Sequence, residues 1–127
     1  MEVFFIIKHT DPKTFEAEFL SFVNNYVKKQ GGKGPKSAEV RFMGDTIVYF
    51  LRGILTERER KLIQSPEGQR VVIESRRVFL EMDKEHRIAK FEEFLGCKVL
   101  ENYESWNLEN DSATAVLLLE KNMWKSS

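Results

Sequence analysis

The spacing of apolar positions changes along the chain, and each change marks an element. Val3 to Lys8 is β-branched and aromatic and predicts a short strand, ended by Thr10-Asp11-Pro12. From Phe15 the spacing becomes three and four: Phe15, Phe19, Phe22, Val23, Tyr26 and Val27 make one stripe of an amphipathic helix. Asp11 suits its N-cap, Pro12 its first position, and Gly31-Gly32 its stop. After the loop Gly32-Lys33-Gly34-Pro35-Lys36, two strands, Ala38 to Met43 and Thr46 to Arg52, flank Gly44-Asp45, a pair suited to a type II′ hairpin turn. Ile47, Tyr49 and Leu51 alternate with Val48 and Phe50, so both faces of the second strand are apolar and it belongs inside a sheet.

Thr56 with Glu59 is a capping-box signature for a short helix, Glu57 to Gln64. Ser65-Pro66 starts a long helical stretch to Leu95, stopped by Gly96. Within it Val71, Val72, Val78, Phe79, Met82 and Ala89 fall on one side, and Ile88, Phe91, Phe94 and Leu95 nearly opposite. A single straight helix would have to bury opposite faces at its two ends, so a break or kink is expected near Asp83 to His86, giving two helices that each present one face to the core. Cys97 to Trp106 and Ala113 to Lys121 predict two final strands, the second with the continuous apolar run of an interior strand at Val116 to Leu119. The expected fold is α+β, in the order β-α-β-β-α-α-α-β-β. Two β-hairpins build a largely antiparallel sheet, with helices mainly on one face.

Composition narrows the function classes. At 127 residues, 42% of them hydrophobic, the chain is one domain's worth and large enough to bury a core without staples. Twenty basic and twenty acidic residues give zero net charge, which argues against nucleic acid as a partner. One cysteine permits no intramolecular disulfide and no Cys-rich zinc site, and fits a reducing compartment. No apolar run approaches the ~20 residues of a transmembrane helix. Val3 to Ile7 is too short for a signal-peptide core and follows Glu2. A cytoplasmic location, free or peripheral to a membrane, is expected.

Candidate chemistry is sparse. The Gly31 to Lys36 loop lacks the GxxxxGK[ST] order of a phosphate loop and is expected to end a helix, with any anion contact made by Lys33 or Lys36. Cys97 follows a helix carboxyl end, where the dipole disfavours the thiolate, and is expected to be a buried structural thiol. His9 and His86 have no metal-type spacing, and no catalytic dyad stands out. No catalytic residue, metal or cofactor is therefore expected. Arg58, Arg60, Lys61, Arg70, Arg76 and Arg77 suit either a basic face for an anion or a solvated face with pairs such as Arg70–Glu74 and Arg77–Glu81. The candidate ligand set is Lys33, Lys36, Arg70, Arg76 and Arg77.

As a string, Gly32-Lys33-Gly34-Pro35, Gly44-Asp45-Thr46-Ile47-Val48 and Leu51-Arg52-Gly53-Ile54-Leu55-Thr56 with Glu59 form a pattern. Gly68, Arg76-Arg77 and Gly96-Cys97-Lys98-Val99 extend it. The pattern is similar to that of the MpsC-like family of small bacterial proteins, over roughly residues 15–119. The resemblance implies an accessory component of a proposed membrane-potential-generating system with sodium and inorganic-carbon transport. The apolar amino-terminal segment and the aromatic, acidic stretch Asn102 to Asp111 depart from that pattern.

The leading expectation is thus a non-enzymatic accessory or regulatory module, acting through protein contacts at a membrane-associated transport assembly. The alternative is a small-anion-binding sensor or enzyme using the Gly32 to Lys36 loop and the arginine-bearing helix. A homodimer is also expected, with Val3, Phe4, Phe5, Ile6 and Ile7 at its interface, since a lone strand must pair with something.

Overall fold

A computed structural model describes residues 11–122. The expected first strand, and with it the Val3 to Ile7 interface, lies outside the described residues. Helix α1, Pro12–Gly31, begins as its caps dictate: the Asp11 carboxylate accepts the Thr14 N–H at 2.9 Å. It ends where Gly32 turns left-handed at φ 79° and donates its N–H to the Lys28 carbonyl. Strands β1, Ser37–Met43, and β2, Thr46–Arg52, form a hairpin in which Met43 faces Thr46. Gly44 alone of the two turn residues has positive φ, as a type II′ turn requires.

A short helix α2, Glu57–Leu62, carries both halves of the expected capping box. Helix α3, Pro66–Leu95, is capped by the Ser65 hydroxyl and stopped by Gly96 in the left-handed region. Strands β3, Val99–Asn107, and β4, Ser112–Leu119, complete an antiparallel sheet of order β1-β2-β4-β3. The two strands that are apolar on both faces, β2 and β4, are its interior strands.

The expected break near Asp83 to His86 does not occur, and α3 is continuous over 30 residues. The expectation assumed that both apolar clusters needed burial. The C-terminal cluster obtains it at Phe91 and Leu95, but of the N-terminal cluster only Val72 is buried, while Val71, Phe79 and Met82 stay 51%, 43% and 80% exposed. The N-terminal half of α3 keeps an apolar stripe in solvent, and an unkinked helix results.

Both long helices pack on the sheet face carrying Val40, Ile47, Tyr49, Leu51, Ala115 and Leu117. Phe19 of α1 meets Tyr49 edge-on at 5.7 Å and stacks near Phe91 of α3 at 6.1 Å, tying three elements together. Cys97 is buried, as expected, and burial pushes its thiol up to about 11. On the opposite sheet face Val48, Phe50, Val116 and Leu118 form a half-buried apolar centre beside exposed Met43 and Tyr103. Among the described residues, no helix is long and apolar enough to cross a membrane.

Candidate functional site

Between α1, the middle of α3 and the inner sheet face lies a cavity of about 300 Å³. Val23, Val27, Leu51, Ile54, Phe79 and Trp106 give it apolar walls, and Tyr26, Tyr49, Asp83, Arg87 and Glu104 give it a polar floor.

Arg87 occupies the floor because of its helical phase. It precedes Phe91 and Leu95 by four and eight residues, so the stripe that buries them buries it, to 6% exposure. Such a charge must be paired. Its Nε donates to Asn102 Oδ1 at 2.7 Å and its Nη1 to the Leu80 carbonyl at 3.2 Å. Glu104 lies 3.4 Å from Nε and Asp83 lies 3.6 Å from Nη1.

Asn102 and Glu104 point inward because β3 slips register between Val99 and Glu101. Strict alternation from Val99 would aim Glu101, Tyr103 and Ser105 at the core. The bulge shifts the phase by one residue and presents Asn102, Glu104 and Trp106 instead. Burial raises the Glu104 carboxyl above its usual range, outweighing the nearby Arg87 charge. Tyr26 donates its hydroxyl to Asp83 Oδ2 at 2.6 Å and has His86 Nδ1 at 3.1 Å. Burial, reinforced by Asp83, raises its pKa, and burial with the nearby Glu104 raises that of Tyr49.

A second polar cluster closes the other end. Arg76 grips Glu59 with two hydrogen bonds, Nε to Oε2 at 3.0 Å and Nη2 to Oε1 at 2.7 Å. Its Nη2 also reaches the Ile54 carbonyl at 3.3 Å. Burial works to raise the Glu59 pKa, but the bonds from Arg76 and Thr56 more than offset it and hold the carboxyl low. Asp111, at φ 51°, secures the neighbouring loop from behind. Its Oδ1 accepts the N–H groups of Ile54 and Leu55 at 2.8 and 2.9 Å, and Arg60 pairs with Oδ2 at 3.5 Å.

The five candidate ligand residues do not converge. Lys33 and Arg76 both line the cavity. Lys33 Nζ, however, donates to the carbonyls of Gly34 and Gly53, and Arg76 is held by Glu59. The Lys36 side chain packs over Gly53, which at φ 68° leaves that approach open. Arg70 and Arg77 sit exposed on α3, Arg77 paired with Glu74 at 2.6 Å and Glu81 at 3.5 Å. The floor residues Tyr26, Tyr49, Asp83, Arg87 and Glu104 escaped the sequence reading. The available signal was an arginine in phase with Phe91 and Leu95.

The cavity wall carries three cations, Lys33, Arg76 and Arg87, and three carboxylates, Glu59, Asp83 and Glu104. Arg76 is held by Glu59, Arg87 lies between Asp83 and Glu104, and Lys33 is turned to main-chain carbonyls, so the chamber suits an uncharged or amphipathic molecule better than a free anion. Among the described residues, no group of His, Cys, Asp and Glu could hold a metal ion.

No curated protein and no solved structure matches the chain significantly. The family described as Na+-translocating membrane potential-generating system (MpsC) matches over residues 12–121, which span both hairpins, all three helices and the cavity. The chain belongs to the MpsC family.

Proposed function

We propose that this chain is a non-enzymatic accessory subunit of a sodium-translocating membrane-potential-generating system, working through protein contacts from the membrane's cytoplasmic side. The family supplies the system. The observation that carries the contact role is the outer sheet face, where Val48, Phe50, Val116 and Leu118 make an apolar centre on two rigid interior strands. A contiguous apolar patch on a firm sheet is the kind of surface that protein partners cover. The test is affinity purification of the tagged chain from detergent-solubilised membranes of its host. Membrane-embedded components should co-purify, and Phe50→Glu with Val116→Glu should abolish this while circular dichroism stays unchanged. Recovery of no membrane protein above an untagged control, or equal recovery by the double variant, would refute the proposal.

The cavity favours a second reading, a small-molecule sensor. Thermal-shift screening against phosphates, nucleotides, carboxylates and amphipaths tests it. A ligand at a hundred times its Kd should stabilise the fold by roughly 2.7 kcal/mol. Flat melting curves across all four classes would count against it.

A further inference from the structure

Helix α3 carries a second uncovered surface, distinct from the sheet face. Val71, Ser75, Val78 and Met82 follow one another at steps of four, three and four, and all are exposed. This is the spacing of a seam between paired helices. Beside it runs a ridge of exposed charges in the order Glu67, Arg70, Glu74, Arg77, Glu81, Lys84. Reading the ridge backwards inverts every sign: Glu67 falls on Lys84, Arg70 on Glu81, and Glu74 on Arg77. A copy laid antiparallel therefore sets each charge opposite its complement, whereas a parallel copy in register sets like on like. The apolar seam is symmetric about almost the same point, since Val71 meets Met82 and Ser75 meets Val78. The two centres differ by one residue, which offsets facing residues by two, about 3 Å along the helix, a distance that long Arg and Glu side chains span.

We propose that the outer stripe of α3 is a self-association surface on which two copies of this chain pair antiparallel about a two-fold axis near Ser75 and Arg76. Pairing within one helix explains part of the ridge, because Arg77 bonds Glu74 and Glu81 in the same chain. Arg70 and Glu81 are about 16 Å apart along the axis of one helix, so a contact between them can form only across two chains. A contact of four helical turns lies at the small end of specific interfaces, so the dimer dissociates in roughly the micromolar range.

The experiment is light scattering coupled to size exclusion, from about 10 to 500 µM, on the full chain and variants whose folding is confirmed by circular dichroism. Wild type should move toward twice the chain mass, and Val78→Asp and Met82→Asp should each hold it at one. Arg70→Glu and Glu81→Arg should each weaken the dimer about tenfold, because the two-fold axis turns two attractive pairs repulsive. The double variant Arg70→Glu with Glu81→Arg should recover most of the affinity. A wild type that stays monomeric throughout overturns the proposal, as does a double variant no better than the singles. So does a dimer that ignores Met82→Asp but is lost when residues 1–8 are removed, an outcome that would assign the contact to Val3 to Ile7.

Discussion

Gly68 offers the sharpest check on the α2–α3 corner. In a helix interior, Gly→Ala ordinarily stabilises by about 1 kcal/mol. Here a Cβ on Gly68 would stand 1.7 Å from the Leu62 carbonyl oxygen and 2.5 Å from its carbon, both main-chain atoms that cannot rotate away. Carbon–oxygen contacts settle near roughly 3.3–3.6 Å, so the corner must open by about 1.6 Å. That displacement strains the Ser65 cap, whose hydroxyl accepts the Gly68 N–H at 3.0 Å, and the bond from Gln69 Nε2 to the Ile63 carbonyl at 3.0 Å. Losing the cap costs about 1 kcal/mol, and forced displacement of packed groups costs a further 1–3 kcal/mol or so. After subtracting the propensity gain, Gly68→Ala should destabilise by about 1–3 kcal/mol. Urea denaturation with an unchanged slope gives the value directly, and Tm should fall by roughly 4–12 °C. Gly31→Ala is the control, since nothing lies within 4 Å of its added Cβ, and it should be neutral or mildly stabilising. A Gly68→Ala variant as stable as wild type would show that α2 and α3 do not meet as described.

Other expectations follow from the cavity and its surroundings. Arg87→Met should cost about 3–5 kcal/mol, because Asp83 and Glu104 lose their buried cation; adding Glu104→Gln should recover part of that loss in chemical denaturation. The Glu59 pKa is lower in the fold than its usual 4.5, so the Glu59–Arg76 contribution is complete above about that pH and fades as the pH falls through the folded value; Glu59→Gln should flatten this part of the acid limb of a stability–pH curve. Asp111→Ala should cost about 2–4 kcal/mol by stranding two N–H groups and straining a left-handed residue, and Asp111→Asn appreciably less. Cys97 should react slowly with a thiol reagent at pH 8 until urea unfolds the chain, since burial holds its thiol at about 11.

Much of this architecture was legible before any coordinates. The Asp11-Pro12, Thr56–Glu59 and Ser65-Pro66 signals act through local hydrogen bonds, and local rules are what sequence spacing records. The two-sided apolar patterns of Ile47–Leu51 and Val116–Leu119 placed β2 and β4 inside the sheet for the same reason. The kink failed because periodicity shows which residues share a face and is silent on whether that face is covered. The cavity floor failed for two causes. A one-residue bulge in β3 inverts the facing of Asn102 and Glu104, and nothing in Val99-Leu100-Glu101 announces it. Tyr26 and Asp83, 57 residues apart, meet only through the packing of α1 against α3. Lys33 and Arg76 were read as candidate ligand residues, and their partners within the fold, Gly53 and Glu59, were settled by tertiary structure.

The strand order β1-β2-β4-β3 has a further meaning. Helix α1 leads into the hairpin β1–β2, and helix α3 leads into the hairpin β3–β4, so apart from the short α2 between them the chain runs helix, hairpin, helix, hairpin. The second strands of the two hairpins lie antiparallel side by side, Val48 opposite Val116, and both long helices rest on the same face. In strand order and direction the two halves are related by a dyad perpendicular to the sheet at this seam, although they share no visible sequence repeat. The two halves are joined covalently only at the corner around residues 63–65, where α2 gives way to α3. Each half owns one long helix and one complete hairpin, and neither can cover its apolar strand face alone. A chain cut at that corner should behave as two mutually dependent fragments that reassemble without a covalent link. The dyad makes the β2–β4 seam the structural midline of the protein, with the cavity held between the two helices on one side of the sheet.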